Sequence, residues 1–369
     1  MGTNVSGDNI RCCVLLDGRR SIVLLVAFMA SLLLSSCAGL PGADPVLEAK
    51  KALERCDPFM GDYHGKWKLA DESESGPLAA QVIVLAEGMY RVNLLAEFDT
   101  RRPPMLILEG RREGSVLRLT GRGGQNDAAQ IEVQAAIGGG TFSGTLRGDV
   151  VGSFTMVRVV RLSSTLGAEP PADAIVLFNG KDFREWEPAN KKPGTDSVRW
   201  KRVRGRAMEV KKDTGSIVTK REFTDFKLHL EFRTPFMPDK SGQARGNSGV
   251  YLQGRYEVQI LDSYGLEGKD NECGGIYKVG PPLVNMCSPP MQWQTYDITF
   301  SAPRFDGAGA KTQDASATTV HNGVTIHDKI EIPKPTGGAL DADIAKPGGI
   351  LLQDHGNAVQ FRNIWVVEL

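Results

Sequence analysis

The sequence predicts an all-β protein with two consecutive β domains. Three observations lead there. Glycine and proline are plentiful, at 42 and 20 of 369 residues. Long helical periodicities are few. Alternating apolar and polar runs follow one another with starts about every 10 residues, the rhythm of an antiparallel meander. The charge balance, Lys+Arg 44 against Asp+Glu 44, argues against a nucleic-acid partner, which calls for a basic face. Six cysteines in a chain of this length do not make a disulfide scaffold.

Residues 1–36 read as a signal peptide. Arg11, Arg19 and Arg20 precede the apolar run Ile22–Leu34, which is shorter than the roughly 20 residues that cross a bilayer. The run ends in Leu34-Ser35-Ser36-Cys37, a string that resembles a bacterial lipobox. It implies acylation of Cys37 and a lipid-anchored protein of the cell envelope, periplasmic or surface-facing. Residues 37–60 then form a tether and a short helix, with Asp44-Pro45 as N-cap and first-turn proline for a helix from Pro45 to Arg55.

Residues 61–163 are expected to be a β-rich accessory domain, either a barrel or a sandwich. Strands are predicted near Gly65–Leu69, Gln81–Ala86, Met89–Ala96, Met105–Glu109, Val116–Thr120, Gln130–Ala135, Thr141–Leu146 and Ser153–Arg161. Glu87-Gly88 serves as a two-residue hairpin turn. The region's one histidine, His64, reads as structural. Residues 164–173, with Gly167, Pro170 and Pro171, form a linker. Residues 174–369 supply a second, sandwich-sized set of strands. The clearest is Phe226–Arg233, where Phe226, Leu228, Leu230 and Phe232 face a core and Lys227, His229, Glu231 and Arg233 face away.

This second region resembles the 3-keto-disaccharide hydrolase domain family, whose members are concanavalin-like jelly-roll β-sandwiches. Several segments carry the resemblance in order. They are Leu177–Phe183 with Trp186, Asn247–Leu252, Gly254–Ser263, Gly275-Ile276-Tyr277, Trp293–Asp297, His321-Asn322-Gly323, Leu352–Gly356 and Phe361–Trp365. The resemblance implies an exported bacterial protein acting on oxidised sugars, partnered by a separate sugar 3-oxidoreductase that makes the keto substrate.

Strand parity supplies a candidate site. Val258 and Ile260 should face the core, which puts Glu257 and Gln259 together on the concave, polar face. Leu352 points inward by the same rule, and Gln353 and His355 join the polar side. A 3-keto group acidifies the proton at carbon 2 and turns the glycosidic oxygen at carbon 1 into a β leaving group. Cleavage therefore needs a base, an acid and a stabiliser of the keto oxygen. The expected base is Glu257, with His355 or Asp262 as the acid. Arg255, Gln259, Asn247, Tyr251, Gln353 and Arg362 are the expected substrate-binding residues. A divalent cation is an alternative stabiliser, but no ligand motif is evident and no cofactor is assigned.

An ordinary two-carboxylate mechanism fits poorly. Glu257 and Asp262 would lie about 16 Å apart along a regular strand, on opposite faces, beyond the roughly 5–9.5 Å that such pairs need. Laminarinase-type enzymes of similar fold use Glu-x-Asp-x-x-Glu. Here Gln259 replaces the middle carboxylate and Asp262 the last. His321 reads as structural, Asp297 as an edge charge, and His229 and Glu231 as outward on their strand. Cys273 and Cys287 bracket a loop and are a disulfide candidate for an oxidising compartment. The same polar face would also serve a non-catalytic carbohydrate-binding protein of the cell envelope. Convergence of Glu257, Arg255 and His355 on one point is the feature that would separate the two readings.

Overall fold

The structure is a computed structural model that describes residues 45–123, 130–190 and 196–369. The signal-peptide, lipobox and Asp44 N-cap readings lie outside the described residues. A helix, α1 (Pro45–Cys56), opens the described chain. Eight strands follow: β1 (Gly61–Leu69), β2 (Ser75–Val84), β3 (Met89–Leu95), β4 (Leu106–Glu113), β5 (Val116–Gly123), β6 (Ile131–Gly138), β7 (Thr141–Gly148) and β8 (Gly152–Val159). Each pairs antiparallel with the next, and β8 returns to β1, so the meander closes into a barrel. Closure leaves no exposed edge, which an open meander of this size would have to protect. At the β2–β3 connection Glu87 and Gly88 both have positive φ, 56° and 68°, the backbone of a tight hairpin turn.

Inward positions follow strict alternation. Tyr63, Leu78, Ala80, Val82, Val92, Leu119, Val133, Phe142, Phe154 and Met156 are buried in one cluster with Leu53 of α1, Phe59 and Met60. Tyr63, Tyr90 and Phe142 stand where β1, β3 and β7 begin, so this end of the barrel is filled by side chains.

Fifteen further described strands follow, thirteen of them in the two sheets of the jelly-roll sandwich and two in a separate hairpin. The first seven are β9 (Ile175–Phe178), β10 (Trp186–Pro188), β11 (Lys201–Val203), β12 (Ala207–Glu209), β13 (Ile217–Thr219), β14 (Phe226–Arg233) and β15 (Ser248–Leu252). The next four are β16 (Tyr256–Ile260), β17 (Gln294–Ser301), β18 (Arg304–Phe305) and β19 (Lys311–Gln313). The set closes with β20 (Ala315–His321), β21 (Val324–Ile332), β22 (Leu351–Leu352) and β23 (Gln360–Glu368). One sheet runs β10-β13-β22-β15-β16. The other runs β11-β12-β23-β14-β17-β20-β21, with β9 beside β23. Their inner faces meet in a core containing Phe226, Leu228, Phe232, Val250, Val258, Ile260, Leu352, Phe361 and Ile364.

Barrel and sandwich are joined by buried contacts. Ile83 of β2 belongs to the sandwich core. The Tyr264 hydroxyl donates to Asp62 at 2.7 Å, and Asn93 donates to the Gly265 carbonyl at 2.7 Å. Asp62 in turn pairs with Arg161 at 2.7 Å.

The outer face of the larger sheet is covered by the segment leading out of the barrel. Gly167 N–H donates to Glu231 Oε1 at 2.7 Å, and the Thr165 hydroxyl donates to Asp297 at 2.6 Å. His229 bonds Asp297 at 2.6 Å and stacks on Trp365. Burial works against charge on His229, but Asp297 and Glu231 outweigh it and raise its pKa. Burial likewise opposes ionisation of Glu231, but His229, Arg362 and Asn363 hold its carboxyl down at about 2.

The expected Cys273–Cys287 bridge is not formed. Both are free thiols. Cys273 Sγ lies 3.2 Å from the Tyr296 hydroxyl, and Cys287 Sγ faces the Leu261 and Ser288 carbonyls at 3.5 Å. The two thiols are neighbours in the core, hydrogen-bonded to each other as well as to these oxygens, but they are not joined.

Candidate functional site

The site is the outer face of the five-stranded sheet, and the ladder registers define it as a grid. Val218 stands opposite Leu351, Leu351 opposite Tyr251, and Tyr251 opposite Glu257, forming one row across β13, β22, β15 and β16. In the next row Gly249 stands opposite Gln259, and Gln353 N–H donates to the Gly249 carbonyl at 3.0 Å. Alternation explains why these side chains share a face. Their neighbours Val250, Leu252, Val258, Ile260 and Leu352 are all inside the core.

Gly249 makes room for the carboxylate. A Cβ there would stand 2.4 Å from Glu257 Oε1, so Glu257 lies over the one position in the grid that has no side chain. Two loops then enclose it. On one side Thr336 Oγ1 accepts from Glu257 N–H at 2.9 Å, and Leu340 N–H donates to the Gly254 carbonyl at 2.9 Å. This strap crosses at Gly338, which has a φ of +83° and where a Cβ would stand 2.6 Å from the Tyr251 hydroxyl. On the other side Gly274, Gly275 and Tyr277 bond the β16 backbone. Glu257 is left only 3% exposed.

That burial sets the chemistry. Desolvation pushes the Glu257 carboxyl up to about 7, although a hydrogen bond with Tyr251 pulls the other way. Burial, followed by the Glu257 charge, pushes the Tyr251 hydroxyl upward. The Gly337 carbonyl, 2.9 Å from the Tyr251 hydroxyl, competes with Glu257 for its one proton, and the hydroxyl accepts from Gln353 Nε2 at 3.1 Å. A carboxylate poised near neutral pH is a stronger base than a solvated one.

Around it, three buried amide oxygens have no partner: Gln259 Oε1, Asn247 Oδ1 and Gln353 Oε1. Their nitrogens are occupied. Asn247 Nδ2 donates to the Gln243 carbonyl at 2.8 Å, and Gln259 Nε2 donates to Gln243 Oε1 at 3.2 Å. Unsatisfied buried acceptors are costly, and a hydrogen-bond donor reaching this face would satisfy them. Among the described residues no group of three His, Cys, Asp or Glu side chains is arranged to hold a metal ion.

The structure brings together Glu257, Gln259, Tyr251, Gln353 and Asn247. It places the other expected residues elsewhere. Arg255 shares the parity of Glu257 but turns away: Nε bonds Asp341 at 2.7 Å and Nη1 bonds the Lys346 carbonyl at 2.9 Å. Its donors are spent anchoring the strap, so it is a support for the site and not a substrate contact.

Asp262 is held by Arg245 at 2.6 Å, with a side chain wholly shielded from solvent. Burial pushes its carboxyl up while Arg245 opposes. Arg245 also reaches the Val84 carbonyl of the barrel at 3.4 Å, so Asp262 belongs to the seam between domains and is not free to act as an acid. Arg362 lies on β23 in the other sheet, bonded to Glu231 at 2.5 Å and stacked on Trp293. The core separates it from Glu257.

His355 is exposed and lines a neighbouring cleft of about 610 Å³ with Ser216, Asp354, Lys212 and Arg199. Ser216 continues the outer face of β13, so this cleft adjoins the grid. Neither Glu257 nor Arg255 lines it, and the expected trio of Glu257, Arg255 and His355 does not assemble. Sequence reasoning missed Gly249 as the space-maker, Gln243 as the clamp on two amides, and the strap at Thr336–Gly338. Only Gly249 carried a signal, as a glycine inside a strand, which marks close approach of another group.

Comparison with known proteins agrees with this architecture. A family model described as a 3-keto-alpha-glucoside-1,2-lyase-like domain matches residues 173–367. A crystal structure from Parabacteroides distasonis, provisionally named a glycosyl hydrolase, is 36% identical, with a TM-score of 0.50 over 57% of this chain and 91% of that one. A second structure from the same organism, given the same provisional name, is 20% identical, with a TM-score of 0.40 over 56% and 98% of the two chains. No curated protein matches the chain. The family model covers the whole sandwich and the polar face with Glu257 at its centre: the chain belongs to the 3-keto-alpha-glucoside-1,2-lyase-like domain family and is carbohydrate-active.

Proposed function

We propose that the protein cleaves the glycosidic bond of 3-keto-glycosides, including 3-keto-disaccharides, with Glu257 as the base. The observation that carries this reading is the enclosed Glu257 carboxyl at about 7, surrounded by three amide oxygens that lack donors. The ionised carboxylate takes the proton from carbon 2, and the C2–H electron pair forms the enolate of the 3-keto group. The enolate then re-forms the ketone as a C1=C2 double bond appears and the C1–O bond breaks. The departing alcohol oxygen takes up a proton, and the sugar leaves as an unsaturated ketone. Addition of water across C1=C2 gives net hydrolysis. The Tyr251 hydroxyl and the Gln353 amide are the donors nearest the base. The adjoining cleft with His355 is sized for the leaving sugar.

The decisive test pairs a glycoside with its 3-keto form and measures both turnover and binding on the unmodified protein and on Glu257→Gln. Turnover of the keto form alone, reduced about 10²–10⁴-fold in the variant with binding little changed, is the expected result. Full turnover in the variant removes Glu257 from the mechanism. Binding without turnover in the unmodified protein, across several linkages and with added divalent metal, supports the carbohydrate-binding alternative, which the dispersal of Arg255 and His355 favours.

The proposal extends to an exported lipoprotein acylated at Cys37 and held to the cell envelope. A separate sugar 3-oxidoreductase would supply its substrate. Mass spectrometry of the membrane fraction should find a lipid-modified N-terminal Cys37; an unmodified terminus would rule out the anchor.

A further inference from the structure

We infer that the lumen of the N-terminal barrel is a binding site for a single acyl chain. The barrel's two ends differ. One is filled by Tyr63, Tyr90, Phe142 and Leu53. The other opens into a cavity of about 430 Å³, within the roughly 300–1,000 Å³ of small-ligand pockets. An eight-stranded barrel is the size at which the interior either just fills with side chains or holds one small ligand. Here it is incompletely filled.

The lining is almost wholly apolar. Phe154, Val133 and Leu94 form its deep part, while Trp67, Ile131 and Leu146 stand nearer the mouth. These last three face inward by strand alternation yet remain only partly buried, packed on one side against the core cluster and open on the other. Met105 at the rim is 42% exposed. Inward apolar side chains without partners on one face forgo both burial and dispersion contacts, which an apolar ligand would supply.

Membrane insertion does not account for this apolar surface, because it is on the wrong side. A membrane barrel is apolar outside, whereas the outer face here carries Arg118 paired with Glu113 at 2.5 Å and Arg122 paired with Glu132 at 2.6 Å. Among the described residues the only ionisable one lining the lumen is Lys68. Its ammonium is at the surface, bonded to Glu72 at 2.9 Å. Among the described residues the lumen's side chains therefore offer nothing to hydrogen-bond a polar ligand such as a sugar, and a polar head must stay at the mouth. A linear hydrocarbon entering tail first along the barrel axis meets all of these conditions. This site lies outside the family match at 173–367 and does not depend on the reading of Glu257.

The test uses the chain from Ala38 onward, which retains every described residue, and titrates it with octanoate, laurate and palmitate by calorimetry. Affinity should rise with chain length, roughly fourfold per added methylene until the lumen is full. A brominated fatty acid should quench the fluorescence of Trp67. Trp67→Phe should abolish that quenching while calorimetric binding persists, and Leu146→Trp, which fills the mouth, should weaken binding at least tenfold in a protein of unchanged circular dichroism. The inference is overturned if none of the three acids binds the unmodified protein. It is equally overturned if binding is indifferent to Leu146→Trp and the quenching survives Trp67→Phe, which would place the ligand elsewhere.

Discussion

Replacing Glu257 by Gln should make the protein more stable at alkaline pH and less active. The carboxyl lies at about 7 in the folded state against an ordinary value of 4.5. Between those values the folded state holds its proton more tightly than the unfolded chain, so stability falls as pH rises. The group costs nothing below about pH 4.5, and its full penalty is reached once pH exceeds the folded value of about 7. A difference of about 2.5 units corresponds to about 3 kcal/mol. Glutamine has nearly the same shape and cannot ionise. Glu257→Gln should therefore match the unmodified protein near pH 4 and exceed it by about 3 kcal/mol near pH 8. Denaturant unfolding of both proteins across this range measures the difference. The same ionisation should shape catalysis, with kcat/KM of the unmodified protein falling about tenfold per pH unit below about 7. A stability difference that stays constant with pH, or an activity midpoint near an ordinary carboxylate value, would refute the argument.

Four further outcomes are expected. Gly249→Ala forces the Glu257 carboxylate off its seat, since the new Cβ would be 2.4 Å from it; turnover should drop at least tenfold with circular dichroism unchanged. Arg362→Ala leaves Glu231 buried without its 2.5 Å partner and should cost roughly 3 kcal/mol in denaturant unfolding, with no change in KM. Arg255→Met frees the strap held through Asp341, so KM should rise and protease cutting near Gly338 should quicken. Iodoacetamide added to denatured, unreduced protein should label both Cys273 and Cys287, because both are free thiols; a peptide with the two joined would contradict this.

Alternation along single strands was legible from the sequence. It put Val258 and Ile260 in the core and Glu257 and Gln259 on the opposite face, and it aligned the inward residues of the barrel. Which sheet a strand joins is a different question. Arg362 and Glu257 both face away from the core by parity, yet β23 and β16 lie in different sheets, so the two never share a surface. Parity has no term for that assignment. Nor does it reveal partners distant in sequence. Arg255 finds Asp341 and Tyr251 finds Gly337, each 86 residues away, through a strap with no strand pattern to announce it. The barrel was readable as a meander, but closure depends on the β1–β8 register, a contact between its two ends.

The split between the two sheets explains why one buried carboxylate is poised for chemistry and another is not. Glu231 and Glu257 are equally shielded, at 1% and 3% exposure. Glu231 has His229, Arg362 and Asn363 around it, and these offset desolvation and hold its carboxyl down at about 2. Glu257 is surrounded by amides, a tyrosine and a glycine, and no cation is bonded to it. The nearest arginine in sequence, Arg255, is drawn off by Asp341. Desolvation therefore goes uncompensated, and the proton is held to about 7. A permanent counter-ion would lower the base strength of Glu257. Turning Arg255 outward keeps the strap in place while leaving the carboxylate able to take a proton near neutral pH. Asp341→Asn tests this directly. With its 2.7 Å ion pair lost, Arg255 would keep only the Lys346 carbonyl as an anchor and could swing toward Glu257, and the acid limb of the pH–rate profile should move downward. An unchanged limb in a folded variant would show that the arginine's orientation has no bearing on the base.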